Sequence, residues 1–418
     1  MRRQMRTSRF LTRERGALFA LLAIVGPGLL AGLSDDDPAG ITTYSILGAD
    51  FGYTLLWVLL VSTGALILFY DLTVRMGIAT GKGLVAVIRD RYGRWPGWLS
   101  AVFLIVANLG TTAAELAGIA AGLEIAGVPL LVSVPVAAVT VSILVIAGSF
   151  HRVEHVLLAL SAVFVTYIAS GLLSHPHWGR VGKGLVIPNL PTNRHAILVA
   201  TATLGTTLAP WGLAFIQSYT ADKQLKPKDW RLARLDIVTG AVLTGIIGLF
   251  VVIACAETLN QTHRHIKTAK DAAVALAPLA GRLASTLFAI GLVGAGMLAA
   301  AILPLATAYS VAESCGHAGK LDGKLKTEPI FYGTFLGVTA AAAILVMIPG
   351  APLIPILFLT QALNAVMLLP LLAMIIHLCR DQTMMGSLKI GRVATALSWT
   401  TFAMIAAAVV SLGAYSLP

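Results

Sequence analysis

The 418-residue sequence predicts an all-α, polytopic membrane protein, on three observations. Hydrophobic residues make up 57% of the chain and charged residues only 12%, against roughly 25% charged in soluble domains. Mean hydropathy is +0.85. Apolar runs long enough to cross about 30 Å of hydrocarbon, allowing for tilt or a break, recur eleven times.

The runs lie near residues 17–47, 54–77, 100–126, 128–149, 155–174, 196–220, 236–256, 281–314, 329–348, 352–378 and 393–415. Residues 1–16 form a basic segment ahead of them. The first run is too long for a secretory signal, so it reads as a retained span. Connections of about twenty-five residues at most leave no room for a soluble domain. Of the 30 Lys and Arg, 22 fall on the loops that are cytoplasmic if the N-terminus is cytoplasmic, and seven on the opposite loops. That asymmetry places the N-terminus inside and, after eleven spans, the C-terminus outside, in a plasma membrane. The net charge of +11 thereby has a topological explanation, and no nucleic-acid partner is implied. Cys255, Cys315 and Cys379 are scattered without metal-ligand spacing.

Span one carries the most informative feature, the run Asp35-Asp36-Asp37-Pro38-Ala39-Gly40. An aspartate facing lipid at mid-membrane costs about 2.5 to 3.5 kcal/mol, so three together belong beside water, cations or protein. Pro38 and Gly40 are expected to interrupt the helix there, the usual layout of a cation site in a secondary transporter. In span two, Asp71 and Arg75 are four apart and predict a fixed ion pair. In span three, Asn108, Thr111, Thr112 and Glu115 share one face, as either a wet pathway wall or an interhelical hydrogen-bond seam. In span six, Gly205 to Gly212 contains Pro210 and reads as a second interruption, five spans after the first; a packing kink is the plainer alternative. Trp211 is then either a wall of the site or a packing residue. In span ten, Gln361 is expected to touch the hydration shell of the ion while Asn364 packs. Glu154, beside Arg152, reads as structural, and the loop pairs His175/His177 and His263/His265 read as exposed groups without a specific task.

Several segments carry a family resemblance. Gly26-Pro27-Gly28, Asp37-Pro38-Ala39-Gly40, Arg75-Met76-Gly77-Ile78-Ala79-Thr80-Gly81-Lys82, Ala114-Glu115-Leu116, Gly127-Val128-Pro129-Leu130, Gly184-Leu185-Val186-Ile187-Pro188 and Met385-Gly386 resemble successive landmarks of the Nramp family of divalent metal transporters. The resemblance implies a LeuT-type fold: spans one to five (17–174) and six to ten (196–378) as inverted repeats, with 393–415 as an added eleventh helix. It implies a metal held by Asp37, by carbonyls of Ser34 and Thr206, and in some states by Gln361. The family's ligand Asn and Met fall on Gly40 and Ala209. Losing both leaves a wider, oxygen-only site in which Asp35 and Asp36 order water around a partly hydrated ion. Thioether sulfur favours softer ions and oxygen suits magnesium, so the pattern resembles the Nramp-related magnesium branch.

A second departure concerns proton coupling. The family's histidines in span six fall on Trp211 and Ile216, its span-three Asp on Thr112, and span nine has no Arg, leaving Glu115 alone. A relay needs titratable groups in reach of one another, so uptake uncoupled from protons is expected. The ion, Mg2+ or Mn2+, is cargo and no resident cofactor is implied. Lipid is the other partner; the sequence leaves the oligomeric state open and is compatible with a monomer. A proton-coupled manganese or iron carrier, or an amine carrier of the same fold, are the alternatives; no nucleophile and base pair or phosphate-binding loop suggests an enzyme.

Overall fold

A computed structural model describes residues 31–32, 34–147, 162–317, 325–350 and 352–416. Gly26-Pro27-Gly28, Arg152, Glu154, Lys320 and Lys324 lie outside the described residues, as do most of the first half of span one and the start of span five.

The described chain is helical throughout. In order it forms α1 (Pro38–Phe51), α2 (Leu56–Thr80), α3 (Leu84–Tyr92), α4 (Arg94–Ile125), α5 (Leu130–Ile146), α6 (Thr166–Leu173), α7 (Trp178–Val186), α8 (Arg194–Thr207), α9 (Pro210–Asp222), α10 (Trp230–Cys255), α11 (Ala284–Cys315), α12 (Pro329–Val346), α13 (Leu353–Cys379) and α14 (Arg392–Ser416). Among the described residues eight helical stretches are long and apolar enough to cross a membrane, with α8 and α9 counted as one, and α5 is a shorter apolar helix. α1 and α6 are the described portions of spans one and five.

Helix limits depart from the hydropathy runs where polar residues continue a helix beyond the apolar stretch. Span three begins at Arg94 rather than 100 and span seven at Trp230 rather than 236, while span eight begins at Ala284 rather than 281. The loops also contain α3 and α7, which sequence hydropathy passes over because nine polar-rich residues cannot span lipid.

The helices pack as two groups, each drawn from both halves of the chain. α1, α2, α8, α9 and α10 pack on one another, and α4, α5, α11 and α12 do likewise. α13 touches α4 as well as α1 and α8, so it bridges the groups, and α14 lies on the periphery against α8 and α13. The expected pair in span two is present: Arg75 Nε donates to Asp71 Oδ2 at 2.8 Å. Trp230 of α10 adds an indole N–H to Asp71 Oδ1 at 3.0 Å, and its ring lies 4.2 Å below the Arg75 guanidinium. A planar, weakly hydrated cation stacked on indole is a structural pairing.

Candidate functional site

Both interrupted spans break by the same device. The helical turn through Ser34 and Asp35 ends in a bend at Asp36 and Asp37, and α1 starts afresh with Pro38 as its first residue. α8 ends at Thr207, Ala209 is extended, and α9 starts with Pro210. Proline at the first helical position is favourable because the N–H it lacks has no intrahelical acceptor there. In an unbroken helix the carbonyl of residue i accepts from residue i+4, so Pro38 and Pro210 withhold the donors that Ser34 and Thr206 would otherwise receive. Proline alone does not break these spans: Pro135, Pro304 and Pro370 all sit inside continuous helices.

Gly40 is therefore not a breaker. It lies in the first turn of α1, where its N–H donates to Asp37 Oδ1 at 2.6 Å, so Asp37 is the N-cap of the resumed helix. The reason for glycine is contact. A Cβ there would sit 2.5 Å from the Asp35 carbonyl oxygen and 3.4 Å from Thr206 Oγ1. The two breaks thus meet at Gly40, and no side chain fits between them. Gly40→Ala is expected to cut the initial transport rate at least about tenfold, since about 1.4 kcal/mol of displacement at the site suffices. Initial rates of Gly40→Ala and of Gly48→Ala, which crowds α10 far from the breaks, would separate a site effect from general loosening.

Three consecutive acids occupy the bend, and all are buried: Asp35 is 1%, Asp36 2% and Asp37 4% exposed; among the described residues no three His, Cys, Asp or Glu side chains converge closely enough to hold a metal ion by themselves. Tyr70 of α2 donates to Asp35 Oδ2 at 3.2 Å. Asp35 Oδ1 and both oxygens of Asp36 are buried without a hydrogen-bond partner. Buried acceptors left unmatched in this way are rare and costly. Thr207 closes one side, its hydroxyl 3.0 Å from that of Tyr44 and accepting from Ser62 at 3.1 Å.

The stripe on α4 divides. Asn108 donates to Thr307 of α11 at 2.8 Å and Thr111 pairs with Asn364 of α13, which is a hydrogen-bond seam. Glu115 instead lies fully buried against Asp37 and the backbone of Ala39, and the Thr112 hydroxyl beside it is buried without a hydrogen-bond partner. α4 reaches this point because Gly118 lets Pro38 approach directly.

On α13 Gln361 and Asn364 are linked to each other. Asn364 Nδ2 donates to Gln361 Oε1 at 3.0 Å, and the Gln361 amide donates to Thr360 at 3.2 Å, so the two amides act as one unit tied to α4. Gln361 still borders the second break, because the backbone of α13 at Gln361 passes against Gly205, where any side chain would collide with it. Ala209 and Trp211 are both buried, at 1% exposure, at the start of α9. The donors brought together are carboxylate, hydroxyl and carbonyl oxygens.

A further polar cluster was overlooked by the sequence reading. Asp50, near the end of α1, is 2.7 Å through Oδ2 from His195 Nε2 and 2.7 Å through Oδ1 from His265 Nδ1. His265 therefore has a specific partner, contrary to the expectation for the loop histidines. No spacing rule joins positions 50, 195 and 265, and only the fold brings them together.

Two spans broken by the same device, the first of them at buried acids, inside a bundle whose two helix groups draw on both halves of the chain, define a secondary transporter of the LeuT class. The sequence profile for "natural resistance-associated macrophage protein-like" proteins matches residues 28–414, and the chain belongs to that family, Nramp. Divalent metal cation transporter MntH of Yersinia enterocolitica is 31% identical over 295 residues, covering 68% of this chain and 71% of that protein. MntH of Yersinia pestis is 30% identical over 296 residues, with the same coverage. Among solved structures, the manganese transporter of Eremococcus coleocola superposes with a TM-score of 0.78 at 20% identity, covering 94% of this chain and 87% of that one. MhsT, solved with L-phenylalanine, gives 0.65 at 15% identity over 94% of this chain and 97% of its own. Mhp1 in a closed conformation gives 0.57 at 13% identity over 93% and 90% of the two chains. The fold is thus the LeuT fold, and the chain is a divalent metal cation transporter of the Nramp type rather than an enzyme.

Proposed function

We propose that this transporter carries magnesium, bound with part of its water, between the broken spans and down the membrane potential without proton coupling. The observation that supports this reading is the donor set. The family resemblance puts its Asn and Met at Gly40 and Ala209, and Gly40 has no room for a larger side chain. The groups at the breaks are hard oxygens, which suit an ion that sheds water reluctantly. Asp37, the carbonyls of Ser34 and Thr206, and water ordered by Asp35 and Asp36 would share it. An inside-negative potential of 100 mV supplies about 4.6 kcal/mol to a divalent ion. The basic residues support a plasma-membrane protein with a cytoplasmic N-terminus.

Proton-coupled manganese transport is the second reading, and two observations favour it. The named relatives are MntH proteins and a manganese transporter, and oxygen donors also suit manganese. Glu115 beside Asp37 is a pair of acids of the kind a proton step requires. Proteoliposomes loaded with a pH dye separate the two. Magnesium influx under a potassium diffusion potential, with lumenal pH constant, is the expected result. Acidification in step with metal entry would support the manganese reading.

A further inference from the structure

The helices that meet at the ion site are also joined at their opposite ends. α1 carries Asp37 at its start and Asp50 near its finish; α8 carries His195 at its start and Thr206 near its finish. A helix of fourteen residues is a rod of about 21 Å, so fixing the far ends constrains the near ones. Asp50 is the shared anchor, gripped by His195 and by His265 in the loop beyond α10. The Asp50 side chain is only 11% exposed, while the two histidines are 52% and 72% exposed at its sides.

This anchor stands at the edge of a cavity of about 620 Å3. Ile46 and Asp50 of α1, Glu124 of α4, His195 of α8, Lys267 of the loop beyond α10 and Phe358 of α13 line it. The cavity lies on the face that the basic residues assign to the outside. Its floor is the packing that separates it from the acids: Ala121 lies one turn beyond Gly118, which Pro38 and Leu357 cover, and Phe358 follows Leu357. For an ion to pass between cavity and site, α1 must part from α4 and α13; His265 leads into the short helix Ala269–Ala273, which packs on α4 and α11, so its bond to Asp50 ties the far end of α1 across that seam.

We propose that Asp50, His195 and His265 form a latch that holds α1 and α8 together and keeps the ion site closed to this cavity. Asp50 is thus a positioning residue for transport, acting through the rigid length of α1. Two hydrogen bonds from two different elements make the latch releasable in steps: losing His265 frees the loop, and losing His195 frees α8. The grip uses both carboxylate oxygens, and an amide in their place offers one acceptor instead of two.

The test is thiol accessibility beneath the cavity floor. Leu357→Cys, 1% exposed in the native residue, would be introduced into purified full-length protein with Cys315→Ser, the native thiols Cys255 and Cys379 being buried. Its rate of modification by a small hydrophilic thiol reagent is then compared across latch variants. Asp50→Asn is expected to raise the rate about tenfold, and His265→Gln to raise it by a smaller factor. His265 lies on an exposed loop, so that variant keeps its fold and the comparison remains informative should Asp50→Asn fold poorly. Equal rates in the native, His265→Gln and Asp50→Asn backgrounds would overturn the latch. The readout needs no metal, so it stands or falls separately from the choice between magnesium and manganese.

Discussion

Replacing Asp37 by Asn is expected to abolish metal transport, by at least about a hundredfold, while the protein remains folded. Asp37 does two things that this substitution separates. Its Oδ1 caps α1 through the Gly40 N–H at 2.6 Å, and asparagine caps about as well. Its charge, beside the buried Asp35 and Asp36, is unfavourable to the empty protein and favourable only when a cation is present. Removing it should therefore leave thermal stability unchanged or slightly raised. Asp37→Ala loses the cap too, at a cost of about 1 kcal/mol, and should match Asp37→Asn in transport. Initial influx rates and unfolding temperatures for both variants check this. Transport surviving in Asp37→Asn above a tenth of the native rate would show that the cap and not the charge is what matters.

Ala209→Met is the second large effect expected. Ala209 is the extended residue between α8 and α9, buried against the break, with φ −76° and ψ 141° that methionine adopts without strain. A flexible, polarisable thioether there adds a soft donor to a site otherwise made of oxygen. Uptake of manganese or cadmium relative to magnesium should rise by about tenfold or more, the factor that 1.4 kcal/mol of added ligand energy produces. Competition assays at fixed magnesium read this ratio directly. An unchanged ratio would mean that backbone carbonyls and retained water set selectivity.

Much of the site was legible because it is written in adjacent residues. Three acids in an apolar run demand a polar neighbourhood wherever the chain goes, and Pro38 and Pro210 recur at matching positions. The spacing held one more signal that hydropathy does not use. Ser34 lies four before Pro38 and Thr206 four before Pro210, so the two carbonyls the family resemblance assigns to the metal are the two that lose a proline N–H. Asp71 and Arg75 were equally readable, being one turn apart.

What escaped depends on long-range placement. Gly40 looked like a breaker because glycine is a poor helix former, yet it serves as the contact point of two helices, a role visible only with Thr206 beside it. Glu115 looked like part of a polar stripe and Gln361 and Asn364 like a polar pair, but which of them faces the acids is decided by how closely Gly118 and Gly205 let neighbouring backbones approach. His265 read as an exposed loop group and Asp50 carries no motif, since nothing local joins positions so far apart. α3 and α7 escaped for a different reason, being too short and polar for a hydropathy window.

Magnesium influx into proteoliposomes under an inside-negative potential tests the central claim most directly, measured for the native protein beside Asp37→Ala. Influx that is present in the native protein and absent in the variant is the predicted result. Manganese entry with no magnesium entry in the native protein would contradict it.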